Sequence, residues 1–426
     1  MNGSNFEDFD LLGARLVDPQ IKLNEEKNIY IRKGKIYYDP PPSSSQKEFR
    51  LNGHVIVPGL LDLRAHTRVP GLGNSENLSS ISSAAARGGF ISILAMPDTE
   101  PKADNPGTIR FIKDRINQAA LVDVHLCGCL TVGAKGEHIA PLGSLKEEGI
   151  VAVSDCPYSL SNNQIFLNSI KYAKMFNLTV IEYPQDPSLS HEANAHQSGL
   201  SLKLGLKGQP RIAEELAVQR AISLADHLDT HIHLSSLSTA GSVKLVEDAK
   251  AKNIKITADV SAHHLFLNET IIEQYNTNAK TNPFLREEKD RLALVAGLLD
   301  GVIDACNTSH EPIASHLKEV EYDKAPAGII GLETAVPLML KAIGQDDQFT
   351  KLATSMSFNP HKILGLCPPS LGLGQSANFT VINPNSNWVY NSTDGQSMSS
   401  NTPFDGIQFD SEIVMTVNKG KIIWSN

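Results

Sequence analysis

Residues 61–71, LDLRAHTRVPG, begin as an apolar strand and end as a polar turn. Arg64 and His66 lie two residues apart there, so on a strand their side chains point to the same face. Two histidines at this spacing would supply half of a metal site, because imidazoles from one strand can bind the same ion. The first position is an arginine, so whether the chain does metal chemistry at all is the first question.

Polar residues also follow the other apolar runs of the sequence. They are side chains of types that act in catalysis and binding: Arg64, His66, Asp98, Thr131, Asp155, Tyr183, Asp186, His233, His263, Ser309 and His310. In a parallel barrel, the carboxyl ends of the strands form one rim, and active sites are built there. A functional site is therefore predicted at this rim.

The elements that must position these residues alternate between short apolar runs and amphipathic segments, from residue 55 to about residue 366. Segments such as SENLSSISSAAARGG, with Ser75 as its N-cap, and RIAEELAVQRAISLADHL have helical spacing. Eight near-continuous apolar strands separated by helices predict a parallel sheet closed on itself, a (β/α)8 barrel. The runs are VIVPGLLDLRAH, FISILAMPDT, VDVHLCGCLT, GIVAVSDC, LTVIEYPQD, THIHLSSLS, IKITADVSAHH and GVIDACNTS.

The two ends of the chain show alternating strands and turns. IRKGKIYY and VNKGKIIW each predict a hairpin around Lys-Gly-Lys. We therefore predict a small β-sandwich built from residues 1–58 and 367–426, flanking a barrel of residues 59–366. The Ser/Asn-rich segment SNWVYNSTDGQSMSSNTP is predicted to be a loop.

Composition excludes several classes of protein. The net charge of -9 is spread along the sequence without a basic run, so nucleic acid is not an expected partner. No segment reaches roughly 18 uninterrupted apolar residues, and the first residues lack a basic region followed by an apolar one. The protein is thus expected in the cytoplasm and not in a membrane. Five cysteines without CxxC spacing argue against a disulfide framework or a zinc ribbon.

Several motifs together resemble one family, the dihydroorotases of the amidohydrolase superfamily, in their longer bacterial type. The motifs extend over nearly the whole chain: VIVPGLLDLRAHTRVPG, GGFISILAMPDTEPKADN, SLKEEGIVAVSD, HIHLSSLSTAGSV, ITADVSAHHLFLNE, KTNPFLREEKDR, GLETAVPLML, NPHKILGL and FDGIQFDSEIVMTVNKGKII. The resemblance implies an amidohydrolase barrel flanked by the terminal strands. It also implies hydrolysis of a cyclic amide at zinc, if the ligands are present.

In that family, His-x-His on the first strand, an Asp, two further His and an Asp after the eighth strand hold the metals. The last Asp also acts as the base on the attacking water. Three of these positions match the family, and three carry other residues. The matching residues are His66, Asp155 and His233, and the replacements are Arg64, Tyr183 and Ser309.

The replacements cannot do what the family's ligands do. Arg64 has a fixed charge and no acceptor, so it repels a divalent cation. Tyr183 would need to lose a proton from a phenol whose ordinary pKa is about 10. Ser309, in CNTSHEP, is a poor base and a weak ligand. The activation of water should fail at both the metal and the base.

The resemblance also assigns the substrate-binding positions. Arg68 and Asn282 match residues that hold dihydroorotate in the family, and Arg68 matches the arginine that binds its carboxylate. Asp98 replaces a neutral Asn and places negative charge toward an anionic substrate. Ile313 replaces a His that follows the eighth strand. The pocket is therefore predicted to have lost its fit for dihydroorotate.

Loss of the metals would leave Asp155 buried without a counterion, which is costly unless it is paired. We therefore predict a charge-assisted hydrogen bond from Arg64 to Asp155. Ordinary structural roles stay open for the same residues. Asp155 could cap a helix, His233 could be a core histidine, Arg68 could be a salt-bridge partner, and His263 and His264 could be structural.

The leading hypothesis is a noncatalytic dihydroorotase homologue, like the pseudo-dihydroorotases that this chain resembles. Such chains bind the catalytic chain of aspartate transcarbamoylase and support its activity in pyrimidine biosynthesis. This hypothesis predicts no cofactor, no competent catalytic residue and a homodimer that bridges trimers of the partner.

Two alternatives remain. A working cyclic amidohydrolase, a dihydroorotase or a related enzyme, would use one zinc on His66, Asp155 and His233, or would recruit His310 and Asp186. A binding module of the noncatalytic dihydropyrimidinase-like kind would act through protein contacts unrelated to pyrimidines.

Overall fold

The structure of the protein, a computed structural model, describes residues 7–40, 47–71, 73–344 and 347–426. Residues 1–6 and 41–46 of the predicted N-terminal part lie outside this description. The strands are β1 (Phe9–Asp18), β2 (Leu23–Arg32), β3 (Lys35–Tyr37), β4 (Glu48–Arg50), β5 (Val55–Pro58), β6 (Leu60–Ala65), β7 (Phe90–Ala95), β8 (Asp123–Cys129), β9 (Ala152–Ser154), β10 (Thr179–Glu182), β11 (Ala195–His196), β12 (Gly208–Gln209), β13 (Ile232–Leu234), β14 (Ile256–Ser261), β15 (Ala305–Asn307), β16 (Phe379–Asn383), β17 (Trp388–Val389), β18 (Gln408–Phe409), β19 (Glu412–Asn418) and β20 (Lys421–Ser425).

Helices fill most of the connections between these strands. They are α1 (Leu78–Arg87), α2 (Pro106–Ala119), α3 (Leu142–Glu147), α4 (Asn163–Met175), α5 (Pro187–Ser190), α6 (Gly199–Lys203), α7 (Ile212–Leu228), α8 (Ala240–Ala251), α9 (Ala262–Phe266), α10 (Glu288–Leu299), α11 (Ser315–Lys318), α12 (Ala335–Ile343), α13 (Gln348–Ala353) and α14 (Asn359–Ile363). A π-helical turn, Thr354–Phe358, joins α13 to α14.

The eight predicted apolar runs form a parallel sheet, in the order β15-β14-β13-β10-β9-β8-β7-β6. The sheet curves until its two edges meet. There His66 donates its backbone N–H to the carbonyl of His310 at 2.9 Å, and Asp62 accepts hydrogen bonds from the amide and hydroxyl of Thr308, each at 2.7 Å. The predicted (β/α)8 barrel is confirmed, and α7 covers the predicted segment RIAEELAVQRAISLADHL.

The helices bury their apolar faces against the outside of the barrel. On α7 the buried residues recur at helical spacing, which is the pattern that predicted the helix: Ala213, Ala217, Val218, Ala221, Ile222 and Ala225. Both faces of each barrel strand are therefore covered. This explains why the eight runs are apolar throughout and do not alternate.

The N-cap predicted for α1 was wrong by two residues. Asn77 is the cap, and its side-chain oxygen accepts hydrogen bonds from the backbone N–H groups of Ser79 and Ser80, both at 2.9 Å. The hydroxyl of Ser75 accepts a hydrogen bond from the N–H of Ala314 at 3.2 Å instead. A tertiary contact thus uses the residue that local pattern had assigned to the helix.

Strands from the two ends of the chain meet in one eight-stranded sheet, ordered β20-β19-β16-β5-β1-β2-β3, with β4 beside β1. The central neighbours β5 and β16 come from opposite ends of the sequence. Their buried residues share a second core with β1 and β2, which includes Phe9, Leu11, Ile29, Ile56, Phe379 and Val381.

The two Lys-Gly-Lys hairpins are confirmed, and their turns touch each other. Lys33, Gly34, Lys419 and Gly420 all have positive φ, which gives the two-residue turn that matches strand twist. A Cβ on Gly420 would lie 2.2 Å from Cα of Gly34. Glycine is therefore required both for the turn and for the contact between the hairpins.

The cysteines and the Ser/Asn-rich segment lie in the structure as follows from their sequence. The cysteines are free thiols, four of them buried and Cys367 exposed. The predicted loop is irregular apart from β17 and a short 3-10 turn at Ser392–Asp394. Within the described ranges we find no helix with the length and hydropathy that a membrane span requires.

Candidate functional site

Arg64 lies at the carboxyl end of β6, fully buried in the mouth of the barrel. Its guanidinium carbon is 4.7 Å from the centre of the Tyr183 ring, and Nη2 donates to the backbone oxygen of Asn282 at 3.2 Å. Nε lies 3.5 Å from Nε2 of His66, and Nη1 has no hydrogen-bond partner among the described residues. A fixed cation thus occupies the place where the resemblance implied metal ligands.

His66 faces a carboxylate. Its Nδ1 lies 2.7 Å from Oδ2 of Asp98, which also accepts a hydrogen bond from Nη1 of Arg68 at 2.8 Å. Burial alone would raise the pKa of Asp98, but His66, Arg68 and Lys102 outweigh burial and hold this pKa well below its usual value. Asp98 is therefore an ionised, buried partner for two basic side chains.

Arg68 is held from both sides. Besides Asp98, its guanidinium contacts Glu311, with Nη2 3.0 Å from Oε1, and Nε lies 3.4 Å from the carbonyl oxygen of Pro312. The residue that matches the family's carboxylate-binding arginine is thus paired with two carboxylates of this chain. All three of its nitrogens already contact acceptors of this chain, so a substrate carboxylate would have to compete with Asp98 and Glu311.

The predicted pairing of Arg64 with Asp155 was wrong. Asp155 accepts hydrogen bonds from the backbone N–H groups of Leu130 and Thr131, both at 2.9 Å, and from the hydroxyl of Thr131. Burial raises the pKa of Asp155, and these hydrogen bonds offset part of the rise. The end of β8 satisfies this carboxyl group locally, so Asp155 does not need the guanidinium.

His233 is also satisfied by neighbours. Its Nε2 lies 2.9 Å from Oδ2 of Asp259, and its Nδ1 lies 2.9 Å from the hydroxyl of Thr257. Asp259 also accepts hydrogen bonds from Nδ2 of Asn307 at 2.7 Å and from the N–H of Ser236 at 2.5 Å. Both ring nitrogens contact other side chains of this chain, an arrangement that agrees with the ordinary structural role the sequence left open.

Tyr183 and Asn282 close the floor of an open cavity. The Tyr183 hydroxyl donates to Oδ1 of Asn282 at 2.5 Å, and burial raises the pKa of this phenol, which therefore stays protonated. The cavity above them measures about 820 Å³. Asp155, Gln185 and Lys280 also line it, whereas Arg64, His66 and His233 are not among its lining residues.

One wall of the cavity depends on a buried glutamate. Glu182 accepts hydrogen bonds from the hydroxyl of Ser159 at 2.7 Å and from Nη2 of Arg220 at 2.8 Å. Arg220 also donates to the carbonyl oxygen of Leu160. Burial raises the pKa of Glu182 to about 7 despite these partners. Ser159 and Leu160 line the cavity, so this group fixes part of its outline.

Ser309, which stands at the position of the family's base, and the residues around it lie where the first and last strands of the barrel meet. Ser309 is buried with φ of 44°, in the left-handed region, between Thr308 and His310. His310 has Nε2 3.3 Å from Glu76, and its Nδ1 accepts from the N–H of Gly331 at 3.2 Å. Ile313 is buried, and its N–H donates to Asn401.

Asp186, His263 and His264 also bond to neighbouring groups of this chain. Asp186 caps α5 by accepting hydrogen bonds from the N–H groups of Ser188 and Leu189. His263 and His264 share the hydroxyl of Ser261, at 3.1 and 2.7 Å. Burial lowers the pKa of His264 to about 3, so its ring is neutral.

Sequence analysis missed two carboxylates that decide this geometry. Asp259 interrupts the apolar run IKITADVSAHH, and a charged residue inside a buried strand was the available signal. Glu311 follows His310 in CNTSHEP and has no comparable signal. Its importance depends on the closure of the barrel, which brings it to Arg68.

Comparisons with known proteins agree with this fold. The family model described as "Dihydro-orotase-like" matches residues 53–242. The chain is 37% identical over 415 residues to a dihydroorotase of Pelobacter propionicus, covering 96% of this chain and 98% of that protein. The chain belongs to the dihydroorotase-like family. A dihydroorotase of Pelotomaculum thermopropionicum is 38% identical, over 92% of this chain and 93% of that protein.

Solved structures show that this member of the dihydroorotase-like family has the hydantoinase type of fold. An L-hydantoinase from Arthrobacter aurescens superposes with a TM-score of 0.87 at 20% identity, covering 98% of this chain and 96% of that chain. A dihydropyrimidinase from Brevibacillus agri gives a TM-score of 0.84 at 17% identity, covering 98% and 95%. At these identities the likeness concerns the fold alone.

The residues of this dihydroorotase-like chain do not fit the metal site that the resemblance implied. Within the described ranges, His, Cys, Asp and Glu ligand atoms converge to within 4.8 Å in one group of three, formed by His196, Glu287 and Asp290. His66, Asp155 and His233 are not brought together. In this group of three, the Arg211 guanidinium donates to both carboxylates and stands where a metal ion would otherwise bind.

Proposed function

We propose that this member of the dihydroorotase-like family is noncatalytic and acts as an assembly and activation partner of the aspartate transcarbamoylase catalytic chain in pyrimidine biosynthesis. The observation that supports the absence of catalysis is the burial of Arg64 against Tyr183 in the barrel mouth. Both residues occupy positions where the resemblance expects metal ligands. A guanidinium there opposes a divalent cation, and the neutral phenol offers no anionic ligand.

Two further steps of amide hydrolysis, activation of water and binding of the substrate, lack the side chains that they need. Without a metal, the attacking water would need a strong base, and Ser309 supplies none. Binding of an anionic substrate would need a free guanidinium, but Asp98 and Glu311 already pair with Arg68. Metal, base and substrate binding are thus affected at separate residues, and each change alone should reduce turnover.

The proposed role as a partner of aspartate transcarbamoylase rests on the family resemblance and on the intact fold of the chain. The barrel, its covering helices and the sheet of both termini are complete in the described residues. A protein that folds fully but lacks the chemistry can still present a surface. We infer that a homodimer of this chain bridges symmetric trimers of the partner, because two-fold and three-fold contacts combine into closed assemblies.

A working cyclic amidohydrolase is the second candidate function. It is favoured by the open cavity of about 820 Å³ in the barrel mouth, which is large enough for a small cyclic amide. Such an enzyme would have to bind zinc on residues that now bond to other groups of this chain, His66 to Asp98, Asp155 to Thr131 and His233 to Asp259. It therefore requires rearrangement of the side chains at the rim.

Two measurements on the purified full chain distinguish these functions. Elemental analysis and a dihydroorotate turnover assay should find no stoichiometric zinc and no hydrolysis. Light scattering after mixing with purified aspartate transcarbamoylase catalytic chain should find a complex larger than either component, with raised carbamoyl transfer. About one zinc per chain together with turnover would establish the hydrolase, and separate elution at micromolar concentration would end the partner role.

A further inference from the structure

An apolar groove lies on the outside of the barrel, between helix α2 and the segment that leads from β6 into the start of α1. We call it the α1–α2 groove; it measures about 330 Å³ and is lined by Val69, Pro70, Leu78, Phe111, Arg115 and Ala119. Phe111 is 43% exposed although it lies in a concave site. Single exposed apolar residues are common, but an aromatic ring in a hydrocarbon-lined groove is typical of an interaction site.

The rim of the α1–α2 groove carries a free cation. The Arg115 guanidinium carbon lies 5.2 Å from the centre of the Phe111 ring, and no described side chain pairs with its charge. Two other cations of α2 are engaged, since Arg110 bonds to the Glu148 carboxylate at 2.8 Å and Lys113 to the Glu148 carbonyl at 2.7 Å. Arg115 is thus preorganised on an aromatic face and available to an outside carboxylate.

The charge of this surface differs from that of the whole chain. Among the residues that line the groove, the charged side chain is the cation Arg115, whereas the chain has a net charge of -9. A positive apolar groove on an acidic protein favours a partner segment that is acidic and apolar. Charge complementarity therefore selects the chemistry of the occupant.

The exposed apolar surface continues beyond the α1–α2 groove. Asn77, which also lines it, has its Nδ2 2.8 Å from the sulfur of Met398, and Met398 is 52% exposed. Methionine adapts its shape to a partner and is frequent at binding surfaces. Phe111, Arg115 and Met398 thus combine aromatic, guanidinium and thioether groups, types that are enriched in the centres of protein interfaces.

We propose that the α1–α2 groove docks an acidic, apolar segment of the partner protein. One apolar side chain of that segment enters between Val69, Leu78 and Phe111, and a neighbouring carboxylate pairs with Arg115. This inference rests on the proposed function, which supplies the partner, aspartate transcarbamoylase catalytic chain. It goes beyond that function by assigning the contact surface and the chemistry of the segment.

The test measures binding of purified aspartate transcarbamoylase catalytic chain to the full-length protein by calorimetry. The variants are Phe111→Ser and Arg115→Glu, and the matched control is Leu202→Ser, because Leu202 is 83% exposed on α6, outside the groove. Both groove variants should weaken binding at least about tenfold, and the control should bind like wild type. Thermal melts check that all variants fold, since exposed side chains contribute little to stability.

Salt dependence gives a second readout that loss of folding would not imitate. Raising salt should weaken wild-type binding more than it weakens binding of Arg115→Gln, because the carboxylate pair at the rim is screened. An equal salt response of the two proteins would overturn the role of Arg115.

The outcomes separate this inference from the function on which it rests. Equal binding by wild type, Phe111→Ser and Arg115→Glu would overturn the groove and leave the partner role intact. Failure of wild type to bind would overturn both. Light scattering on the chain alone covers the remaining case: a dimer that Phe111→Ser dissociates would mean that a second copy fills the groove, which overturns the assignment to the partner.

Discussion

The guanidinium carbon of Arg64 lies 4.7 Å from the centre of the Tyr183 ring. Both residues stand at positions where the family resemblance expects metal ligands, Arg64 at the end of the first barrel strand and Tyr183 just after the fifth. The two replacements therefore contact each other across the barrel and form a cation–π pair. Because they act as a pair, reversion of either residue alone would leave the other in the place of a ligand.

We predict that zinc binding returns before activity in the triple variant Arg64→His, Tyr183→His, Ser309→Asp. The variant restores the implied ligand set, and the free energy of metal binding can offset the cost of rearranging His66 and His233. Dihydroorotate turnover should stay undetectable, because Asp98, Glu311 and Ile313 still misplace the substrate, and positioning accounts for several kcal/mol of a barrier. Elemental analysis and a turnover assay measure both quantities.

Arg64→His alone is the control for the triple variant, and it should bind no stoichiometric zinc. Turnover at rates typical of enzymes in the triple variant would show that the substrate-binding residues are less altered than their ion pairs indicate.

Removal of the buried guanidinium should change the free energy of unfolding by different amounts, depending on what replaces its volume. Arg64→Met fills the space and removes a buried charge that forms no ion pair with a carboxylate of the described residues, so its stability should be within about 1 kcal/mol of wild type, or higher. Arg64→Ala leaves a cavity and should lose about 2–4 kcal/mol. Chemical denaturation measures both, and a loss above about 3 kcal/mol in Arg64→Met would reveal an ionic partner for Arg64.

A carboxylate ligand should bind at Arg68 only when both of its internal partners are neutralised. Asp98→Asn leaves Glu311 on the guanidinium, and Glu311→Gln leaves Asp98. The double variant frees both edges, and dihydroorotate should then bind with a Kd of about 1 mM by calorimetry. Addition of Arg68→Gln to the double variant should abolish this binding. Equal affinity in wild type would mean that Arg68 is not blocked.

The buried Glu182 should make the protein less stable as pH rises toward neutrality. Its pKa is raised by burial to about 7 in the folded chain, against about 4.3 in an unfolded one. Between these values the folded state binds the extra proton, so stability falls as pH rises, with a slope of at most about 1.4 kcal/mol per pH unit. Denaturation at pH 5, 6 and 7 should show this slope in wild type relative to Glu182→Gln. Parallel curves for the two proteins would contradict it.

The architecture could be predicted from the sequence because its signals are local and repeated. Eight continuous apolar runs separated by amphipathic segments leave few alternatives to a closed parallel sheet, and each Lys-Gly turn needs only its own two residues. The residues at the rim were predicted for the same reason, since each lies at or just beyond the carboxyl end of its apolar run.

The partners of the rim residues could not be predicted, because they depend on which strand ends become neighbours. Asp155 was expected to need Arg64, but the amides at the end of β8 satisfy it at 2.9 Å. Arg68 was matched to a substrate carboxylate, and closure of the barrel brings Glu311 to it instead. A sequence gives the charges at the rim but not the distances that pair them.

The order of strands in the terminal sheet has a consequence for synthesis of the protein. Strand β5 pairs with β16, so its edge stays open until the last part of the chain has left the ribosome. Until then the N-terminal strands carry an unpaired edge that invites contact with other chains. Premature termination before β16 would therefore leave the β5 edge permanently unpaired, and slow translation would lengthen the time during which that edge is exposed.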